Sequence, residues 1–345
     1  MYQPKRKALL AFLVICIFVL SGCTKESTEA ENPIPQKGWQ KVGDLTVSAA
    51  GAFTFEKDGK LYVASGEVLD HTVYPKTYTY SMHELDGSSK TMKKLASFAG
   101  NAHLSASNTA AFMVGESVYF YFTSNNTLLS YNTVTNAWLY KASIPDNYGE
   151  PTPSRYAIGA YTQEGKGYVF LGIIQPYLQM DMVQQYQYDP VSNAWTSVKL
   201  WGASMEYAAR GFRADSSFYI MSNTKRLYRH KIGTTTLENL GTTPSSLLAL
   251  SPFVVVNGGK ALVGTGGEFT VTQSGDLFSD NTSEECWTLN FTTHTWTKVE
   301  NFGGGKRRGA IGYLYNNEIY VFGGESGNAE TKKIERRPDL WKYVE

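Results

Sequence analysis

Hydrophobic and polar positions alternate along this chain in short bursts rather than in helical stripes. Apolar runs rich in β-branched and aromatic residues recur at Leu61–Gly66, Val118–Thr123, Gly167–Gly172, Phe218–Asn223, Ala261–Gly266 and Ile319–Gly324. Runs of this kind predict fully buried strands. Downstream of each comes an apolar residue, a polar turn, and a second large apolar residue seven positions later. The pattern is clearest in Tyr131-Asn-Thr-Val-Thr-Asn-Ala-Trp138, Tyr188-Asp-Pro-Val-Ser-Asn-Ala-Trp195 and Leu289-Asn-Phe-Thr-Thr-His-Thr-Trp296. Turns built on Asn, Asp, Gly and Pro between strand residues predict hairpins. The same spacing recurs at Leu85 to Met92, His230 to Leu237 and Ile334 to Trp341, which makes six copies. They lie about 50 residues apart, a period that marks a repeat architecture. Before the buried runs sit strands of small residues, as in Arg155-Tyr-Ala-Ile-Gly159 and Arg308-Gly-Ala-Ile-Gly312. Small side chains are needed where strands crowd around an axis. Each unit is then four strands, a to d, and six units closing a ring predict an all-β, six-bladed β-propeller of four-stranded antiparallel blades.

Arg308-Gly-Ala-Ile-Gly-Tyr-Leu-Tyr-Asn-Asn-Glu-Ile-Tyr-Val-Phe-Gly-Gly324, followed by Trp341, resembles a kelch repeat, and so does Arg155 through Trp195. The resemblance covers residues 49–345 in outline; Gly323-Gly324 keeps the family's glycine doublet and Gly266-Gly267 approximates it. It implies a kelch-like propeller similar to the central domain of galactose oxidase. Trp39, one repeat length before Met92, looks like a seventh fourth strand without a blade. It is suited to closing the ring by pairing with the last blade and hiding two edges. Trp341 competes for the same place, and the sequence leaves the order of the two open.

The chain has 345 residues, 42% apolar and 18% charged, enough to bury a large core. Lys and Arg number 32 against 31 Asp and Glu, which removes a whole-chain electrostatic argument for nucleic acid. Residues 5–7 are Lys-Arg-Lys and precede an unbroken apolar run from Ala8 to Leu20. A membrane-spanning helix needs about 20 residues, so this shorter run reads as a signal peptide. Leu20-Ser21-Gly22-Cys23 resembles the lipobox of bacterial lipoproteins, which implies removal of residues 1–22 and lipidation of Cys23. Thr24, rather than Asp, follows that cysteine, and by the same resemblance the destination is the outer membrane, facing the periplasm or the cell exterior. Residues 23–37 are polar and Pro-punctuated, a flexible tether, leaving 38–345 as the propeller. Cys286 then has no disulfide partner.

Galactose oxidase and similar copper enzymes need paired His ligands, whereas His71, His83, His103, His230 and His294 fall singly here. No cofactor or metal is expected. Asp276, Asp280, Glu284 and Glu285 crowd one loop without the spacing of an EF-hand, and read as a solvated acidic loop rather than a calcium site. The segments between second and third strands are more informative. Those from Tyr62 to Leu85, Tyr168 to Tyr188 and Leu262 to Leu289 are long, while those from Tyr119 to Tyr131, Tyr219 to His230 and Tyr320 to Ile334 are short. Long b–c loops on blades one, three and five predict a rim around the channel mouth. Tyr74, Tyr78, Tyr177 and Tyr186 in these segments offer flat faces with hydrogen-bonding tips, suited to sugars or peptide backbone. Tyr packing within extended hairpins is the alternative. Arg155, Arg210 and Arg308 enter innermost strands near the same mouth, where a guanidinium can grip a carboxylate or brace neighbouring blades. Trp201, Glu206 and Tyr148 lie on the adjoining d–a loops. The favoured reading is a non-catalytic propeller binding a glycan or protein partner through this face. The alternative is a sugar-modifying enzyme such as a sialic acid mutarotase or epimerase, as kelch-like propellers include, whose work needs only acid–base groups, with Glu206 and Arg210 as the candidates; a third reading is a pure scaffold.

Overall fold

The buried runs pair with their neighbours as the repeat requires. The computed structural model describes residues 37–66, 78–86, 91–100, 109–145, 154–175, 180–201, 208–248, 250–272 and 277–345. Among them are 28 strands and no helix. The first, β1 (Gly38–Asp44), precedes the blades. Blade 1 is β2 (Phe53–Lys57), β3 (Lys60–Gly66), β4 (Tyr78–Asp86) and β5 (Thr91–Gly100). Blade 2 is β6 (Thr109–Val114), β7 (Ser117–Phe122), β8 (Thr127–Asn132) and β9 (Ala137–Lys141). Blade 3 is β10 (Ser154–Gln163), β11 (Lys166–Gln175), β12 (Met180–Asp189) and β13 (Ala194–Trp201). Blade 4 is β14 (Ala208–Ala214), β15 (Ser217–Ser222), β16 (Arg226–Lys231) and β17 (Leu237–Thr242). Blade 5 opens with β18 (Phe253–Asn257) and β19 (Lys260–Gly264), inserts a hairpin of β20 (Gly267–Val271) and β21 (Leu277–Thr282), and ends with β22 (Cys286–Asn290) and β23 (Trp296–Lys298). Blade 6 opens with β24 (Ile311–Tyr315) and β25 (Glu318–Phe322), inserts β26 (Glu325–Asn328) and β27 (Lys333–Arg336), and continues into β28 (Asp339–Val344). The six blades, each of four antiparallel strands, form a β-propeller.

The sixth blade takes its fourth strand from the N-terminus: β1 pairs with β28, Gly38 opposite Val344 and Asp44 opposite Asp339. Trp341 therefore lies in a third strand, and the Ile334-to-Trp341 spacing is not a c–d hairpin. Asn328 explains the false copy. Its Oδ1 accepts the backbone N–H groups of Glu330 and Thr331 at 2.9 and 3.0 Å, turning the chain into the inserted hairpin that holds Ile334. Trp39 occupies the fourth-strand place and packs edge-on against Phe302, centroids 4.7 Å apart.

The Tyr-Asn-Trp motif acts across blades. Asn136 and Asn193 stand at the hairpin tips with φ of 53° and 51°, each held by its own motif tyrosine, Tyr131 at 2.8 Å and Tyr188 at 2.7 Å. Asn136 accepts the N–H of Ala96 at 2.8 Å while Trp138 Nε1 donates to the carbonyl of the same residue at 3.1 Å. Asn193 and Trp195 grip Ala142 of blade 2 in the same way, at 3.0 and 2.7 Å. One residue of the preceding blade thus has both backbone polar groups satisfied from the next. Trp39 repeats half of this staple by donating to Glu300 O at 3.3 Å.

The glycine doublets have a geometric cause. Gly323 and Gly324 sit at φ of 66° and 87°, and a Cβ on Gly323 would lie 2.3 Å from Ala49 O. Gly266 and Gly267 do the same in blade 5, at φ of 97° and 120°. Between blades 3 and 4, Phe170 stacks on Phe218 with centroids 4.1 Å apart, filling the seam beneath the close approach of Gly159 and Gly211.

Candidate functional site

Successive strands of a blade alternate in direction, so the b–c and d–a connections share one end of the ring, called the upper end below. The starts of the inner strands carry Arg155, Arg210 and Arg308 to that end. Their environments differ.

Arg308 is already neutralised. Its guanidinium meets Glu325 at 2.8 Å and lies over the Phe269 ring, 4.4 Å from the centroid. It clamps the two inserted hairpins, which Asp280 also joins by accepting the Gly327 N–H at 3.0 Å. Arg155 Nη1 donates to Tyr121 OH at 3.5 Å; that hydroxyl donates to Asn126 Oδ1 at 2.9 Å, and Asn126 Nδ2 donates to Ile144 O at 2.8 Å. This places Arg155 at the seam of blades 2 and 3, half-buried and braced rather than closed off.

Arg210 is different. It lies in β14 opposite Met221, and its Nε is buried without a hydrogen-bond partner among the described residues. Burial alone pulls its guanidinium below the ordinary value, with no carboxylate acting against it among those residues. Desolvating a cation is costly where no counter-ion stands beside it, and among the described residues none does for the half-buried Arg210. Lys225, in the turn between β15 and β16 at the same end of the same blade, shares the character: burial lowers it, and its Nζ donates to Leu247 O at 2.5 Å. Blade 4 therefore presents two desolvated cations at its upper end, and the described residues supply no acid to either.

Of the four tyrosines, Tyr186 follows the packing alternative. Tyr186 is 4% exposed in the core of blades 2 and 3, its hydroxyl donating to Gln184 Oε1 at 2.7 Å, so it is blade packing. Tyr78 begins β4 opposite Gly100, and Trp201 ends β13 opposite Val183. Tyr74, Tyr177, Tyr148 and Glu206 lie outside the described residues.

The alternation of loop lengths also changes. Tyr320 pairs with Lys342, well beyond Ile334, so blade 6 carries a long b–c segment like blade 5. In blade 3 the extra length goes into the strands themselves, paired out to Gln175 and Met180. Among the described residues, inserted hairpins thus rise from the adjacent blades 5 and 6, and the long segment expected on blade 1, residues 67–77, lies outside them.

The acidic residues of blade 5 disperse. Asp280 Oδ1 caps Thr282 N at 2.9 Å, Glu284 accepts from Asn301 at 3.2 Å, and Glu285 takes Lys298 at 2.7 Å and Trp287 at 3.3 Å. Asp276 lies outside the described residues, among which no group of His, Cys, Asp and Glu could hold a metal ion. Cys286 is fully buried, and burial pushes its thiol up.

Sequence reasoning missed Arg307. It is 1% exposed and forms a bidentate pair with Asp339, Nη1 to Oδ1 at 2.7 Å and Nη2 to Oδ2 at 3.0 Å, with Nη1 also donating to Gly323 O at 2.8 Å. The run Lys306-Arg307-Arg308 gave no sign of which cation would be interior.

No family model and no curated protein matches the chain. Its fold is similar to solved structures. The structure of YjhT matches with a TM-score of 0.58 at 14% identity, over 85% of this chain and 99% of that one. Trypanosoma rangeli sialidase in complex with the inhibitor DANA matches at 0.53 and 10%, over 86% of this chain and 55% of that one. A mutant of that sialidase displaying trans-sialidase activity matches at 0.50 and 10%. This chain spans about half the length of the sialidase chains, with 55% and 54% covered. At these identities the likeness is one of fold.

Proposed function

We propose that this chain is a kelch-type propeller, lipid-anchored through Cys23 at the outer membrane, whose upper end binds a carboxylate-bearing glycan or protein ligand. The observation that carries the reading is Arg210, a half-buried side chain whose Nε is buried with no hydrogen-bond partner and which has no acid beside it among the described residues. A carboxylate there would recover the lost solvation through charge-assisted, bidentate hydrogen bonds. Lys225 adds positive potential from the same blade, and Arg155 stands at the upper end one blade away. Arg308 has no part in the reading, because Glu325 occupies it.

A neutral glycan gains nothing from such a group, which favours acidic sugars. The T. rangeli neighbour, a sialidase solved with an inhibitor, supports looking first at sialic acids. The second reading, a sialic acid mutarotase or epimerase, draws on the same Arg210 as the carboxylate anchor, with Glu206 as acid–base group. Both are tested on the full-length protein by a glycan array and by NMR observation of sialic acid anomers. Capture of acidic glycans that fails in Arg210→Leu supports binding; accelerated anomer exchange that fails in the same variant supports the enzyme. Indifference to every carboxylated ligand refutes both.

A further inference from the structure

The six seams between blades are not fastened alike. The seams of blades 1–2 and 2–3 carry complete staples, in which Asn136 with Trp138, and Asn193 with Trp195, hold one backbone residue of the preceding blade. The 5–6 seam has Trp39 on Glu300, and above it Gly266 N donates to Arg307 O at 2.9 Å. The 6–1 seam is crossed by the chain itself as it leaves β1, with Leu45 N donating to Pro338 O and Gly51 N to Gly309 O, both at 2.8 Å. At the 3–4 seam Leu237 replaces the tryptophan, but the Phe170–Phe218 stack fills the gap.

The 4–5 seam has the motif and loses its function. His294 stands where the asparagine belongs, in the same positive-φ conformation at 54°, and its Nε2 meets Arg229 Nη1 at 3.2 Å instead of a backbone N–H. Trp296 keeps its place, yet its Nε1 is buried with no hydrogen-bond partner among the described residues. Arg210 Nε, Thr243 Oγ1 and Thr265 Oγ1, in these two blades and their connection, are likewise buried with no hydrogen-bond partner among the described residues. Among the described residues, the polar contacts that cross the seam, Arg229 with His294 and Ser246 with Glu285, run between side chains and leave the backbone ungripped.

We infer that the propeller opens at the seam between blades 4 and 5, the broken staple of His294 and Trp296 making it the yielding joint of the ring. Each hydrogen bond absent from a staple is worth about a twofold to tenfold factor in the opening equilibrium. Local opening of this kind precedes global unfolding and exposes the groups that line the joint. On the reading proposed above, the joint lies beside the binding arginine, so its opening would widen the ligand's way in.

Two buried positions on blade 5 report on its two seams separately. Cys286 packs with Phe302 and Val321 at the 5–6 seam, and Ala261 packs with Met221 and Leu227 at the 4–5 seam; both are 0% exposed. In the full chain with Cys16→Ser and Cys23→Ser, native-state labelling by a thiol reagent is measured for Cys286, and for Ala261→Cys in a Cys286→Ala background. Each rate is normalised to that of the same protein unfolded in denaturant. The expected result is labelling of Ala261→Cys about tenfold or more faster than Cys286. His294→Asn should then slow Ala261→Cys labelling about twofold to tenfold and leave Cys286 unchanged. Equal rates at the two positions, or labelling of Ala261→Cys that does not respond to His294→Asn, would overturn the inference. No ligand is involved, so the result stands apart from the fate of the proposed binding site.

Discussion

Asp339→Ala should destabilise the protein more than any other single carboxylate removal among the described residues. The Asp339 side chain is 14% exposed and that of its partner Arg307 1% exposed, and the pair sits where β28 begins to hold the closing strand. The carboxylate accepts two guanidinium N–H groups and, at 2.7 Å, the indole N–H of Trp341. Its removal strands a buried cation and orphans the indole, a loss of about 3–5 kcal/mol. For a folded body of about 300 residues, an unfolding entropy of about 2.1 cal/mol/K per residue turns this into a fall in Tm of about 5–8 °C. Burial pushes the Asp339 carboxyl up, but Arg307 and Trp341 together hold it below the usual carboxylate range. A depressed folded-state value means that the unfolded chain takes up protons first on acidification. The stabilisation is therefore complete above about pH 4 and declines as pH falls from there toward the folded value. Asp339→Asn should remove that part of the acid slope. The assay is calorimetric or circular-dichroism melting of both variants between neutral and acid pH, with Arg307→Met and Arg307→Met/Asp339→Ala to close the cycle. A loss below about 1 kcal/mol for Asp339→Ala, the range of an exposed pair, would refute the reasoning.

The remaining expectations are more compact. Cys23→Ala should leave unprocessed or soluble protein; unchanged partitioning into detergent would refute lipidation at that residue. Asn193→Ala removes one acceptor for Ala142 N–H and one for Tyr188 OH, and should cost about 1–3 kcal/mol in denaturant unfolding, whereas Val191→Ala at the 96% exposed tip of the same turn should cost almost nothing. Shortening residues 173–183 to the length of the blade 2 turn should lower stability sharply, since Ile173 and Val183 are 0% exposed; an unchanged Tm would show that this hairpin carries no core.

The blade count was legible because a buried β-branched and aromatic strand recurs six times; the Tyr, Asn-bearing turn and Trp that follow it are complete only in blades 2 and 3, and the sixth copy, Ile334 to Trp341, is false. Those three residues turn out to be physically coupled, which is why they recur at fixed spacing. Ring closure was not legible. Trp341 and Trp39 both satisfy the spacing, and only pairing between the two ends of the folded body, Gly38 with Val344, distinguishes a third strand from a fourth. Loop lengths misled for a related reason, since residue counts cannot separate a protruding loop from an inserted hairpin or a longer strand. Of the three arginines at the mouth, sequence position was the same for all. What divides them is a partner contributed from elsewhere in the fold, Glu325 for Arg308, Tyr121 for Arg155, and none among the described residues for the Nε of Arg210.

The central claim rests on Arg210 as the anchor for a carboxylate, and isothermal titration of a sialic acid against the full-length protein and its Arg210→Leu variant tests it most directly. Loss of one charge-assisted contact of about 1.5–3 kcal/mol predicts affinity weaker by about tenfold to a hundredfold in the variant, with its melting temperature held or raised because a desolvated cation with no acid beside it among the described residues has been removed. Equal affinity in the two proteins, or a variant that melts far below the parent, would contradict it, the second outcome by showing that the guanidinium braces the blades instead.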